Sequence, residues 1–281
     1  MQPTSNLTQV DPSNNFQGKV VCVTGANGGI GKVITQAFAR AGASVWALDI
    51  HSPSTSVPQP ASPQTDPNTS SAPSLNIHSL LLDVRALEQW KQCVDQVLAI
   101  DKKIDVLIQC ASVVKFASIE STSLADWRNV LEINLDGVFL GIKTILPIMK
   151  KQRRGVLLQI GSYLASRPSP GLASYCVSKA AVETLTRTAA LEAAAASPDI
   201  RVNAILPGGV KTGIWKSHPA WNQLVQVGKS ENAAFQALAN STPQKRFAEP
   251  EEIAQLSLYL ASDAARFVTG ALWSIDGGIT A

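Results

Sequence analysis

Apolar side chains in this chain gather into short runs, separated by longer stretches in which they recur at helical spacing. Residues 19–24 form a β-branched run that reads as a buried strand, residues 30–41 read as a helix closed by Gly42, and residues 44–49 read as a second strand. Repeating such a strand–helix–strand unit builds a parallel sheet with helices on both faces. Further strand candidates lie at 75–82, 106–110, 156–160, 201–206 and 272–275. The pattern therefore predicts an α/β fold, a doubly wound parallel sheet of seven strands in a single domain.

Two stretches fall outside this rhythm. Residues 1–17 are polar and read as a flexible N-terminal segment ahead of a folded unit over 18–281. Residues 52–74 are rich in Ser, Pro, Thr and Gln, without periodicity, and read as a surface loop inserted after the second strand. The Ala-rich stretch 189–196 reads as the end of a tightly packed helix.

Composition narrows the function classes. A chain of 281 residues, 45% hydrophobic and 16% charged, suits one folded unit with a buried core. The net charge is +3, and the only tight basic run, Lys150, Lys151, Arg153 and Arg154, reads as a solvated helix end, so no nucleic-acid partner is expected. The four cysteines are dispersed without a CxxC pair, which argues against zinc or a disulfide framework and for a reducing, cytoplasmic setting. No secretory signal and no membrane-length apolar run is evident in the sequence, and no metal site is expected.

The first candidate chemistry lies between the first strand and first helix, at Thr24-Gly25-Ala26-Asn27-Gly28-Gly29-Ile30-Gly31. Glycines there let the backbone turn sharply and approach a pyrophosphate at the helix N-terminus, although a lone glycine-rich run would equally suit a plain turn. Asp49 follows Gly31 by eighteen residues at the end of the second strand, where its carboxylate can accept from both hydroxyls of an adenosine ribose or simply cap a turn. In the ribose role its charge repels a 2′-phosphate. The glycine-rich loop has no Arg or Lys before Lys32 to neutralise such a phosphate, and His51 is the only potential cation after Asp49. NAD is therefore expected rather than NADP.

Tyr175 and Lys179 lie four residues apart in a stretch that reads as helical, so their side chains share a face. A phenol is a poor base near neutrality, and a neighbouring ammonium stabilises its phenolate. The pair taken alone would be an ordinary amphipathic pair. Ser162, just after the strand candidate at 156–160, stands thirteen residues before Tyr175 and changes that reading.

Taken together, these elements resemble the classical short-chain dehydrogenase/reductases, a Rossmann-fold family. The matches are Thr24 to Gly31 for TGxxxGxG, Asp83-Val84 after the third strand, Asn134 in Glu-Ile-Asn-Leu, Ser162 with Tyr175 to Lys179, Pro207-Gly208 through Thr212, and Asp276-Gly277-Gly278. The resemblance runs from Gly18 to Ala281. It implies that Tyr175 is the catalytic acid/base, with Ser162 on the reacting oxygen, Lys179 on the nicotinamide ribose and Asn134 positioning a relay water. It also implies cofactor contacts from Gly25, Asn27, Gly28, Gly29, Ile30 and Gly31, from Asp49 and Ile50, from Asp83 and Val84 at the adenine, and from Ala111. Pro207, Gly208, Val210 and Thr212 would then cover the nicotinamide. The implied activity is oxidoreduction between a secondary alcohol and a ketone.

One motif departs from the family. Where Asn-Asn-Ala-Gly is usual after the fourth strand, this chain reads Gln109-Cys110-Ala111-Ser112, with altered packing or affinity as the expected effect. Cys110 reads as a small buried residue at a strand end rather than a reactive thiol. The lid expected over about 212–248 holds Trp215, Trp221, Leu224, Val225 and Phe235, which suggest a bulky hydrophobic or cyclic substrate unless they pack onto the core. No basic cluster in the lid invites a phosphorylated substrate or carrier-bound thioester. Apolar and small residues on several faces of the helices near 124–151 and 174–196, with the resemblance, imply a homotetramer or homodimer. The alternatives are an NADPH-dependent ketoacyl or polyketide reductase of the same family, and a non-catalytic nucleotide sensor or scaffold.

Overall fold

Alternate residues along each central strand face opposite ways, and in this chain both sets are apolar, so helices are needed on both sides. The computed structural model describes residues 15–51 and 75–281 and meets that demand with one parallel sheet. In chain order the described elements run β1 (Val20–Thr24), α1 (Gly29–Arg40), β2 (Ser44–Asp49), β3 (Ile77–Leu81), α2 (Leu87–Asp101) and β4 (Val106–Gln109). Next come α3 (Leu124–Leu131), a π-helical turn (Glu132–Asp136), α4 (Gly137–Gln152), β5 (Gly155–Ile160), α5 (Ala173–Ala196) and β6 (Ile200–Pro207). The chain closes with α6 (Trp221–Gly228), α7 (Glu231–Leu238), α8 (Pro250–Ala261) and β7 (Leu272–Ile275). The sheet order is β3-β2-β1-β4-β5-β6-β7, as expected of a doubly wound Rossmann fold.

One face of the sheet presents Val21, Val23, Val45, Ile108 and Leu158, which pack with Ile34 and Phe38 of α1 and Ile253 and Leu258 of α8. The other presents Cys22, Trp46, Leu48, Leu107 and Leu157 beneath Trp90 of α2, Ile142 and Ile145 of α4, and Val182 and Ala189 of α5. Each large buried side chain contributes roughly 1.5–3 kcal/mol. The small residues Ala189, Ala190 and Ala193 are buried near the end of α5, as the Ala-rich pattern predicts.

Two expectations shift, and two others fall outside the described residues. Phe16 is buried and meets Phe38 edge-on at 4.7 Å, while its N–H donates to Ala41 O at 2.8 Å, so the folded unit starts before Gly18. The remaining residues of the expected flexible segment, 1–14, and the expected surface loop, 52–74, lie outside the described residues. Finally, the helix expected near 124–151 is interrupted by the π-helical turn Glu132–Asp136, a feature frequent at functional sites, and Asn134 stands at its centre.

The sheet order reverses between β1 and β4, and in open parallel sheets the crevice at the C-terminal strand ends beside such a point is the place for a ligand. Thr24 stitches it: its Oγ1 accepts from the N–H of Cys110 at 3.2 Å and of Ala111 at 3.3 Å.

Candidate active site

A cavity of about 1010 Å³ opens along these strand ends. Gly25, Asn27, Gly28, Gly29, Ile30 and Gly31 line one part, Ser162, Tyr175 and Lys179 another, and Pro207, Gly208, Val210 and Thr212 a third. Its size is at the upper end for small-molecule pockets.

The glycine loop is built for close approach. Gly25 adopts φ +64°, and a Cβ there would lie 2.8 Å from Ala111 Cα. A Cβ on Gly31 would fall 2.1 Å from Gly25 O, so the turn and the first coil of α1 can touch only without side chains. No side chain caps α1 and its first turn carries no acid, which leaves a helix N-terminus suited to an anion such as a pyrophosphate. Asp49, at the end of β2, accepts from the N–H of Asn27 at 2.9 Å and of His51 at 3.1 Å. Its carboxylate therefore holds the loop while retaining lone pairs for further donors.

Five expected cofactor residues stand outside the lining of the cavity: Asp49, Ile50, Asp83, Val84 and Ala111. Asp49 and Ile50 follow the glycine loop's edge, with Ile50 exposed. Ala111 forms the backbone wall against Gly25. The Asp83 carboxylate is gripped by Arg85, at 2.7 Å from Nη2, and the same hydrogen bonding holds it below the usual carboxylate range. An adenine contact through that carboxylate requires Arg85 to give way.

In the chemical part, Ser162 follows β5 and caps a single 3₁₀ turn, its Oγ accepting from Leu164 N–H at 3.2 Å. That contact uses the oxygen and leaves its one proton free to donate. Tyr175 and Lys179 project from α5, with Lys179 Nζ 5.6 Å from the Tyr175 ring centre and donating to Ile160 O at 2.8 Å. Burial pushes the Tyr175 phenol up to about 12, against the opposing hydroxyls of Ser162 and Ser112. Burial likewise lowers the Lys179 ammonium to about 8. In the protein's own atoms the phenol thus lies above its ordinary value, with loss of water as the leading cause.

Asn134 is fully buried, and its amide accepts from Val113 N–H at 2.8 Å and donates to Val113 O at 2.9 Å and to Ser178 Oγ at 3.2 Å. Its side chain clamps the loop after β4. Nearly all of its hydrogen-bonding capacity is used in doing so.

The departure after β4 is compensated by packing. Gln109 donates to Val138 O at 3.1 Å and accepts from Gln159 at 3.4 Å, tying β4 to α4 and β5. Gly141 provides the room, since a Cβ there would lie 2.3 Å from the Gln109 amide nitrogen. Burial pushes the Cys110 thiol up to about 12, consistent with an inert strand-end residue.

The lid differs from expectation. Of its five expected residues only Trp215 lines the cavity; Trp221 is buried and packs on Phe235 at 4.9 Å, and Trp215 and Phe235 both lie against Phe247. Sequence reasoning missed Phe116 and His218, which meet edge-on at 5.1 Å, and Leu164, Pro170, Ile214 and Leu238, all of which line the cavity. Leu238 ends α7, and the others sit in loops or short turns that no periodicity marks. Burial lowers the His218 imidazole, whose Nδ1 accepts from Ala220 N–H at 3.1 Å.

A family model described as Enoyl-(Acyl carrier protein) reductase matches residues 25–280. The chain is 36% identical over 266 residues to the 3-oxoacyl-(acyl-carrier-protein) reductase of Thermotoga maritima, covering 94% of this chain and 98% of that protein. The chain belongs to the classical short-chain dehydrogenase/reductase family. A cyclopentanol dehydrogenase from Comamonas is 32% identical over 263 residues, covering 94% of this chain and 97% of its own. The ligand-free aldohexose dehydrogenase of Thermoplasma acidophilum superposes with a TM-score of 0.80 at 29% identity, covering 95% of this chain and 96% of that one. As a member of this short-chain family, the protein is an NAD(P)-dependent oxidoreductase acting on CH–OH groups. Among the described residues, no helix is long and apolar enough to cross a membrane, and no cluster of three metal-ligating side chains occurs.

Proposed function

We propose that this short-chain dehydrogenase/reductase interconverts a bulky hydrophobic or cyclic secondary alcohol and its ketone with NAD(H). The observation that carries the reading is the single cavity, with anion-ready glycine-loop backbone at one part and Ser162, Tyr175 and Lys179 at another. Bound nicotinamide supplies the hydride chemistry at the carbinol carbon. Tyr175 takes the hydroxyl proton in oxidation and returns one in reduction, while the Ser162 O–H donates to the substrate oxygen as charge develops there. Lys179 holds the nicotinamide ribose and biases the phenol, Asn134 keeps the loop after β4 in place, and Pro207, Gly208, Val210 and Thr212 cover the nicotinamide. Asp49 and Ile50 would hold the adenosine ribose, and Asp83 and Val84 would contact the adenine once Arg85 gives way.

Support for an apolar substrate comes from Phe116, Leu164, Pro170, Ile214, Trp215 and Leu238 in the cavity wall. The cyclopentanol relative is consistent with it. The ketoacyl-reductase relative favours a second reading, NADPH-dependent reduction of a carrier-bound ketone. Against it stands the Asp49 charge; in the lid, Lys216 and Arg246 are each paired with a glutamate, Glu231 and Glu252, which leaves Lys229 and Lys245 outside any ion pair among the described residues.

Exposed Leu124, Phe139, Val177 and Leu191 on α3, α4 and α5 support a homodimer or homotetramer. The four free cysteines suit a reducing, cytoplasmic setting.

The test is reduced-nicotinamide absorbance with NAD or NADP and a panel running from small alcohols to cyclic and steroid alcohols. NAD-linked reduction with a bulky secondary alcohol is expected. Turnover with NADP and a ketoacyl thioester alone would favour the second reading.

A further inference from the structure

Ser112, where the family usually has glycine, presents a hydroxyl to the same cavity as Ser162 and Tyr175. Its Oγ is buried and has no hydrogen-bond partner among the described residues. A buried polar atom without a partner is unfavourable by about 1–3 kcal/mol and is uncommon in native folds. Ser112 cannot relax easily, because its neighbours on both sides are pinned: Ala111 N–H donates to Thr24 Oγ1 at 3.3 Å, and Val113 is held at N–H and C=O by Asn134 at 2.8 and 2.9 Å.

Donor supply makes the position meaningful. The Tyr175 phenolate needs donors once its proton is gone, yet the Ser162 hydroxyl has one proton, which the substrate oxygen claims. Lys179 directs a donor to Ile160 O and lies 5.6 Å from the Tyr175 ring centre.

We propose that Ser112 is a positioning residue for Tyr175, its O–H donating to the phenolate oxygen so that Ser162 remains free for substrate. The proton stays on Ser112 throughout, so no bond is broken there. The Ser112 hydroxyl is near enough to the phenol to oppose the effect of burial on it, without closing a hydrogen bond to it. This inference rests on the reading of Tyr175 as acid/base.

The experiment compares full-length wild type with Ser112→Ala, Ser112→Gly and Ser112→Thr. One readout is the pH profile of NAD-linked cyclopentanol oxidation. The other needs no turnover: near-ultraviolet tyrosinate difference absorbance of the alkali-stable NADH complex, the midpoint being extrapolated from the rise below it, with Tyr175→Phe subtracted to isolate this one of three tyrosines. Loss of the hydroxyl in Ala and Gly variants is expected to raise the Tyr175 midpoint by about one pH unit and to lower kcat near neutrality about tenfold. KM and NADH affinity should stay within about twofold, and Ser112→Thr should restore the wild-type midpoint. Titrations that superimpose on wild type would overturn the proposal, as would a raised KM with an unmoved midpoint, which would make Ser112 a substrate contact. If wild type oxidises no alcohol, the functional reading fails by itself, and the tyrosinate titration still decides this one.

Discussion

Asn134 grips Val113 at both of its peptide groups: the side-chain oxygen accepts from Val113 N–H at 2.8 Å and the side-chain nitrogen donates to Val113 O at 2.9 Å. The grip is possible because the π-helical turn delivers a buried amide to the loop that follows β4. It fixes the wall on which Ser112 stands, and a further bond from Asn134 reaches Ser178, whose Oγ donates to Tyr175 O at 2.7 Å. Asn134→Ala leaves the partly buried N–H and C=O of Val113 without their side-chain partner. It is expected to destabilise the fold by about 2 kcal/mol or more and to lower kcat beyond what the loss of folded protein explains. Urea unfolding together with active-site titration checks this; unchanged stability would show that the clamp is dispensable.

Much of this arrangement could be read in the sequence, for physical reasons. Strands buried on both faces must be largely apolar, so β1, β2 and β5 stood out, and the glycine loop followed from its place between β1 and α1. Tyr175 and Lys179 share a face by helical spacing alone. The π-helical turn left no such mark, since the helical pattern runs on through Glu132–Asp136. Aromatic content in the lid did not tell direction: Trp221 and Phe235 satisfy each other, and Phe116 and His218 reach the cavity from loops without period. Nor does spacing report burial, which is why the Tyr175 phenol lies above the ordinary value rather than below it.

Asp49 should set coenzyme choice through its charge. Asp49→Ser removes the repulsion toward a 2′-phosphate and also one acceptor for Asn27 N–H. The ratio of kcat/KM with NAD to that with NADP is expected to fall by about 10- to 100-fold, with a small loss of thermal stability. A ratio that does not move would remove Asp49 from cofactor discrimination.

Trp215 is the lid aromatic that reaches the cavity, braced by its Nε1 donating to Val210 O at 2.8 Å and by Phe247 at 4.7 Å. Trp215→Ala should raise KM for a bulky cyclic ketone by about tenfold or more, and for a small ketone by much less, because only the larger substrate loses apolar contact. Equal effects on both would mean that the lid does not select for size.

The pH dependence follows from the two buried groups of α5. Lys179, lowered to about 8, carries its charge below that pH and loses it above, while Tyr175, raised to about 12, keeps its proton through neutrality. Ketone reduction needs a protonated Tyr175 and a charged Lys179, so kcat/KM for reduction should hold level on the acid side and fall above about pH 8. Alcohol oxidation needs the Tyr175 proton removed and should rise across the neutral range. A reduction rate that climbs above that pH would contradict these assignments.

The most direct test of the central claim is Tyr175→Phe, measured for turnover by reduced-nicotinamide absorbance and for NADH binding by fluorescence, beside wild type with a cyclic secondary alcohol. The substitution removes only the phenolic oxygen, so NADH affinity should stay within about threefold of wild type while turnover falls by at least about 10²-fold. Undiminished turnover in Tyr175→Phe would contradict the account, because a group other than Tyr175 would then have to move the proton.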